Sequence, residues 1–264
     1  MKNVRTSMIL NRRGFVRVAT VGVFAAPVAP IFRLFADESF SRSQPKAIAF
    51  DAFPVFDPRS VSALAEQLFP GKGAELSDEW RTRQFEYTWL RVTAKHYADF
   101  WQVTGDALEF AARKLNLELR QQERDQLMNS YLELKLWPDA MVALSSLKKS
   151  GFRLAFLSNL TPRMLNVNIK HAGLTGLFEQ VLSTDQAKTY KPDPSAYQLG
   201  IDSLKLRREE ILFVAFGGWD AAGAKLFGYP TFWVDRQKLP AEKLGAIPDG
   251  TGESLTELVQ FLKA

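Results

Sequence analysis

The chain has no cysteine and only two histidines among its 264 residues. Disulfides, thiolate catalysis and cysteine-based zinc sites are therefore excluded, and His96 and His171 are too far apart in sequence to form a metal-ligand pattern. Acidic residues are missing from the first 36 positions, which hold six of the 34 basic residues. The other 28 basic residues face 29 acidic ones, so the net charge of +5 belongs to the N-terminus and the body is close to neutral. No basic patch interleaved with aromatics occurs, which argues against nucleic acid as a partner. Also missing are an internal repeat, a low-complexity tract and an unbroken apolar run of the ~20 residues that cross a bilayer comfortably.

What the N-terminus does contain is Asn11-Arg12-Arg13-Gly14-Phe15-Val16-Arg17, followed by a mildly apolar stretch, residues 18–32, broken by Gly22, Pro27 and Pro30. The arginine pair, the Phe two places on and the basic residue after Val16 resemble a twin-arginine export signal. That resemblance implies the twin-arginine export machinery as a partner and a periplasmic location. A disordered basic leader or a short membrane anchor is the alternative reading. Cleavage after Ala36 would place Leu34 three residues before the cut, and Pro30 spoils a cut after Ala29, so an uncleaved anchor in the inner membrane stays open.

From Lys46 onward the pattern is that of an α/β protein with a Rossmann-like parallel sheet. Strands are predicted at Ala47–Phe53, Arg153–Leu157, Phe178–Ser183, Ile211–Phe216 and Thr231–Val234. Helices are predicted at Ala140–Lys149, Arg163–His171, Ser195–Leu204 and Ala221–Phe227. Gly151, Gly173 and Gly228 stand where helices should stop. The core is expected over residues 46–58 and 137–264, interrupted by an inserted helical cap over residues 59–136. The cap's aromatics Trp80, Phe85, Tyr87, Trp89 and Tyr97 read first as helix-packing residues.

Ile48-Ala49-Phe50-Asp51 is an apolar run ending in one carboxylate, which is how such a fold presents a nucleophile at a strand's C-terminal edge. A strand can also end in Asp merely to start a turn. Three further pieces fall at the ends of later strands: Leu157-Ser158-Asn159, Tyr190-Lys191-Pro192-Asp193 and Gly217-Gly218-Trp219-Asp220. In order and spacing the four resemble the haloacid dehalogenase superfamily. The segments Trp80-Arg81-Thr82-Arg83-Gln84-Phe85-Glu86-Tyr87-Thr88-Trp89-Leu90-Arg91 and Tyr97-Ala98-Asp99-Phe100-Trp101 resemble the cap of the L-2-haloacid dehalogenases within it.

The resemblance implies hydrolysis of short (S)-2-haloacids to 2-hydroxy acids without a cofactor or metal. Asp51 would displace halide from the carbon beside a carboxyl group, forming an ester that water cleaves. Lys191 would pair with Asp51 and position it, with Asp220 beside them. Ser158 and its neighbouring amides would bind the substrate carboxylate. Arg81 and Asn159 would cradle the departing halide. Phe100 and Trp219 would wall in the substrate carbon, and Tyr197 would add a hydroxyl near the substrate carboxylate. Relatives also imply a homodimer.

Phe53, two places after Asp51, and Phe216 stand where the superfamily's magnesium-dependent phosphatases carry acids, which disfavours that activity. Other positions depart from the dehalogenases. Their nucleophile strand continues aromatic-Gly-Thr-Leu-aromatic-Asp, whereas here Phe53-Pro54-Val55-Phe56-Asp57 is one residue shorter and lacks the Thr. Their Ser-Ser-Asn is Ala215-Phe216-Gly217 here. A degenerate member that binds small carboxylates or a protein partner without turnover is thus the alternative function.

Overall fold

The computed structural model describes residues 44–263; the twin-arginine reading of residues 1–36 lies outside them. The elements follow as β1 (Ala47–Phe50), β2 (Phe56–Asp57), α1 (Arg59–Leu68), α2 (Gly73–Thr93), α3 (Phe100–Lys114), α4 (Gln121–Ser130) and β3 (Lys135–Leu136). After these come α5 (Ala140–Lys149), β4 (Arg153–Ser158), α6 (Pro162–His171), β5 (Gln180–Ser183), α7 (Pro194–Leu204) and β6 (Ile211–Ala215). The chain closes with α8 (Gly218–Phe227), β7 (Thr231–Val234), β8 (Gly250–Gly252) and α9 (Leu255–Phe261).

Six strands form one parallel sheet in the order β5-β4-β1-β6-β7-β8. Successive side chains of a strand point to opposite faces, and the apolar runs supply both. Ile48 and Phe50 of β1, Leu154 and Phe156 of β4, and Leu212 and Val214 of β6 pack on one face with residues of α5, α6 and α9. Ala47, Ala49, Ala155, Leu157, Phe213 and Ala215 pack on the other with α7 and α8. Burial on both faces is why these strands read as continuous apolar runs.

Helix ends follow local chemistry. Thr161, Asp193 and Ser254 accept bonds from backbone amides of the first turns of α6, α7 and α9. Gly151, Gly173 and Gly228 take positive φ just beyond α5, α6 and α8, and Gly228 at φ 102° closes α8 through bonds to the Ala224 and Lys225 carbonyls. The helix predicted at Ala221 starts earlier, at Gly218.

The helical insert leaves and re-enters through β2 and β3, an antiparallel pair with Phe56 opposite Leu136 and Asp57 opposite Lys135. Trp137, the next residue, packs with two guanidinium groups, those of Arg59 and Arg236, each 4.4 Å from its ring centroid. Its indole N–H donates to the Phe53 carbonyl at 2.9 Å. Each arginine keeps a carboxylate: Arg59 bonds Asp57 and Arg236 bonds Asp139. Inside the insert, Gly73 brings α2 against α1 so closely that a Cβ there would lie 2.2 Å from Glu66 backbone. Among the described residues no helix is long and apolar enough to cross a membrane.

Candidate active site

Parallel strands bring their C-terminal ends to one edge, and the β1, β4 and β6 ends lie side by side there. β1 stops at Phe50, three residues before the predicted end, because the chain turns at once. The Phe53 N–H bonds back to Asp51 Oδ2 at 3.2 Å, and the Val55 and Phe56 amides bond the Ala52 carbonyl. Pro54, with no N–H to give, fits inside this turn. The Asp51 amide still donates to Val214 of β6 at 2.9 Å, so its backbone is anchored while its side chain faces the edge.

Asp51 Oδ1 accepts from Lys191 Nζ at 2.9 Å and from Ser158 Oγ, at the end of β4, at 3.2 Å. Lys191 Nζ also donates to Asp220 Oδ2 at 2.5 Å, so one ammonium lies between two carboxylates. All three residues are buried. Burial opposes the charge on Lys191, yet the two carboxylates outweigh it and its pKa lies above the ordinary lysine value. Burial pushes the Asp220 carboxyl up to about 6, against the lowering effect of Lys191. Asn159 holds the lysine loop: its Oδ1 accepts from the Lys191 amide at 3.0 Å and from Thr184 Oγ1 at 3.2 Å. With Oδ1 so engaged, Nδ2 is the end of Asn159 left to present.

A cavity of about 190 Å³ opens on this group. Asp51, Ser158, Asn159, Lys191 and Asp220 line it from the sheet edge, Trp219 and Phe216 from the β6–α8 turn, and Arg81 and Phe100 from the insert. Eight of the nine residues singled out from sequence thus share one cavity. The ninth is a correction: Tyr197 does not line it. Its fully buried hydroxyl lies behind Asp220 and donates to Asp220 Oδ1 at 2.7 Å, so it can position that carboxylate but cannot reach a ligand carboxylate. Burial, then the Asp220 charge, raises its pKa well above the tyrosine value.

Other groups in the cavity wall or next to it were not singled out as site residues. Phe85 meets Trp219 edge-on at 5.3 Å, joining insert to core beside Asp220, and Trp89 meets the same indole at 5.6 Å. Trp80 packs on Tyr131 and donates to the Thr104 carbonyl, but it also walls the cavity, so its packing role and its lining role coincide. Gln84 and Tyr131 complete the insert side, and Gln237, from the loop after β7, bonds Arg81 at 3.2 Å. For Phe85 and Trp89 the spacing of aromatics was the available signal; Gln237 carried none. Phe53 and Phe216 meet at a tilt with ring centroids 5.9 Å apart beside Asp51, making that wall apolar.

Chemically, this is one anchored carboxylate, with a buried ammonium and a hydroxyl on the same oxygen, opening on a cavity that is apolar around Phe53 and Phe216 and reached by an arginine from above. Among the described residues no group of three or more His, Asp and Glu could hold a metal ion.

Comparison with known proteins agrees in sequence and in fold. The (S)-2-haloacid dehalogenase of Pseudomonas sp. (strain YL) is 41% identical over 219 residues, 83% of this chain and 94% of that protein. The crystal structure of the L-2-haloacid dehalogenase RSc1362 superposes with a TM-score of 0.82 at 43% identity, covering 84% of this chain and all of that one. The L-2-haloacid dehalogenase from Xanthobacter autotrophicus with chloropropionic acid covalently bound superposes with a TM-score of 0.77 at 32% identity, covering 83% and 99%. The sequence profile of haloacid dehalogenase-like hydrolases matches residues 45–228, and the chain belongs to that family.

Proposed function

We propose that the protein hydrolyses (S)-2-haloacids to 2-hydroxy acids through an ester on Asp51. The observation that carries this reading is the state of Asp51: an anchored carboxylate open to the cavity, with Lys191 and Ser158 both on Oδ1. Oδ2, which accepts a single 3.2 Å bond from the Phe53 amide, is the freer oxygen for attack. That oxygen bonds to C2 of the acid as the carbon–halogen bond breaks and the electron pair leaves with the halide. Arg81 and the Asn159 amide supply donors for the halide, and Phe100 and Trp219 exclude water from C2. Water then adds to the ester carbonyl. One of its protons passes by way of Asp220 to the departing hydroxy acid, and the other is released as the Asp51 carboxylate re-forms. The relatives named for (S)-2-haloacids, and the neighbour with chloropropionic acid covalently bound, support the same course.

Ala215, Phe216 and Gly217 leave the β6 end without side-chain polar groups to place that water, and this favours slow ester cleavage. Mass spectrometry after brief mixing with 2-chloropropionate should find an adduct on the peptide containing Asp51, and Asp51→Asn should abolish both adduct and halide release. If neither adduct nor halide appears with the unaltered protein while a small carboxylate raises its melting temperature, the site binds without reacting.

The helical insert is read as a cap over the Asp51 edge, and the functional unit as a homodimer. Residues 1–36 are read as a twin-arginine signal that delivers the folded protein to the periplasm, on the strength of Arg12-Arg13 and the near-neutral body. Replacing both arginines with lysine should leave the protein in the cytoplasm; an undiminished periplasmic yield would refute this.

A further inference from the structure

The turn that follows Asp51, Ala52-Phe53-Pro54-Val55-Phe56, carries no polar side chain of its own. Three successive carbonyls in it are nevertheless each held from outside. The Trp137 indole N–H donates to the Phe53 carbonyl at 2.9 Å, Arg236 Nη2 to the Pro54 carbonyl at 2.9 Å, and the Trp137 backbone N–H to the Val55 carbonyl at 3.1 Å. Trp137 thus holds the turn at two points, and the guanidinium packed on its ring holds the carbonyl between them. Both side chains are buried and neither lines the cavity, so what they do for the site passes through the turn.

The turn in its own right places the reacting oxygen. Lys191 and Ser158 both bond Asp51 Oδ1, which leaves the carboxylate free to swing about Cβ–Cγ, a torsion with a broad minimum. Oδ2 takes its place from the Phe53 N–H at 3.2 Å. That N–H shares a peptide plane with the Ala52 carbonyl, which accepts from the Val55 and Phe56 amides. Its direction is therefore set by where residues 53–56 lie, and Trp137 fixes them. The opposite wall is built alike, since the Trp233 indole N–H donates to the Phe216 carbonyl at 3.0 Å. Among the described residues, however, no hydrogen bond runs from Phe216 to Asp51.

We propose that Trp137 is a positioning residue for the reacting oxygen: through the Phe53–Val55 turn, its two N–H groups aim the Phe53 amide at Asp51 Oδ2 and hold that oxygen in line for attack. The attack rests on the dehalogenase reading, whereas the hold on the Phe53 amide does not. Hydrogen exchange of that amide reads the hold directly. Trp137→Phe keeps an aromatic ring beside the two guanidinium groups and deletes the indole N–H; it should speed the exchange about fivefold, the effect of one neutral hydrogen bond, while the Ala49 and Phe50 amides of β1 keep their protection. The benzothiophene analogue of tryptophan at position 137, with sulfur in place of the N–H in a ring of the same size, should do the same. Trp233→Phe deletes the matching bond at Phe216 and should leave the Phe53 amide protected. In single turnovers with 2-chloropropionate, Trp137→Phe should slow ester formation about five- to tenfold with the affinity for halogen-free propionate unchanged. A Phe53 amide that exchanges at the unaltered rate in both position-137 variants, or equally fast in Trp233→Phe, would overturn the proposal. So would ester formation at the unaltered rate, or a loss of propionate affinity as large as the loss of rate. If the unaltered protein forms no ester, the dehalogenase reading fails, and the exchange rates still decide whether Trp137 fixes the donor on Oδ2.

Discussion

Replacing Lys191 with methionine isolates the electrostatic core of the site. Methionine keeps much of the side-chain length but removes the ammonium that lies 2.9 Å from Asp51 and 2.5 Å from Asp220. Two buried carboxylates are then left facing one another. Breaking a buried ion pair by deleting one partner destabilises by about 3–5 kcal/mol, a large part of the 5–15 kcal/mol typical of a whole domain. For a domain of this size that is a fall in Tm of roughly 6–20 °C. The loss should depend on pH in a fixed direction. Burial already pushes Asp220 up to about 6 even with Lys191 lowering it, so losing Lys191 drives it further up. A carboxyl whose folded-state pKa is raised contributes stability that is present below its unfolded value and is lost as pH rises through the folded value. The deficit of Lys191→Met should therefore be largest at pH 8 and shrink towards pH 5. Adding Asp220→Asn should recover part of the stability at pH 8 by removing one of the two charges. Thermal unfolding followed by circular dichroism at the two pH values measures all of this. A variant within 2 °C of the unaltered protein at pH 8, or one equally destabilised at both pH values, would refute the reasoning.

Two further outcomes follow from the same geometry. The rate of ester formation should fall on the acid side with a midpoint near pH 6, because Asp220, raised by burial, takes up a proton there and stops holding Lys191; in Asp220→Asn, single-turnover experiments should show a lower rate without that limb. Activity should be insensitive to chelators, since Phe53 and Phe216 flank Asp51 where further oxygen ligands would be needed; loss of activity in EDTA and its return with magnesium would overturn this.

The parallel sheet was readable because its central strands are buried on both faces and so carry unbroken apolar runs. The pair β2 and β3 was not, since two residues cannot display a period. β8 is Gly250-Thr251-Gly252, whose side chains carry no strand signal; it is held by pairing with β7 and by α9 packed against it. The sheet-edge half of the site could be read because strand ends of a parallel sheet converge, which brings Asp51, Ser158, Lys191 and Asp220 together from distant positions. The insert half was harder. α2 is polar around most of its circumference, and which stripe turns inward is decided by packing of Trp80 and Gln84 on α3 and not by periodicity. Tyr197 was misplaced because sequence puts it on the right helix, while the Asp220 side chain stands between it and the cavity.

The antiparallel pair at the root of the insert has a topological meaning. Asp57 and Lys135 are cross-strand partners, whose Cα atoms stand about 5 Å apart in such a ladder. Everything between them is, in outline, the loop of a β-hairpin, enlarged into four helices. A loop can change length or sequence without altering the register of the strands that carry it. The insert is therefore joined to the sheet at one short ladder, beside which Trp137 packs with the guanidinium groups of Arg59 and Arg236.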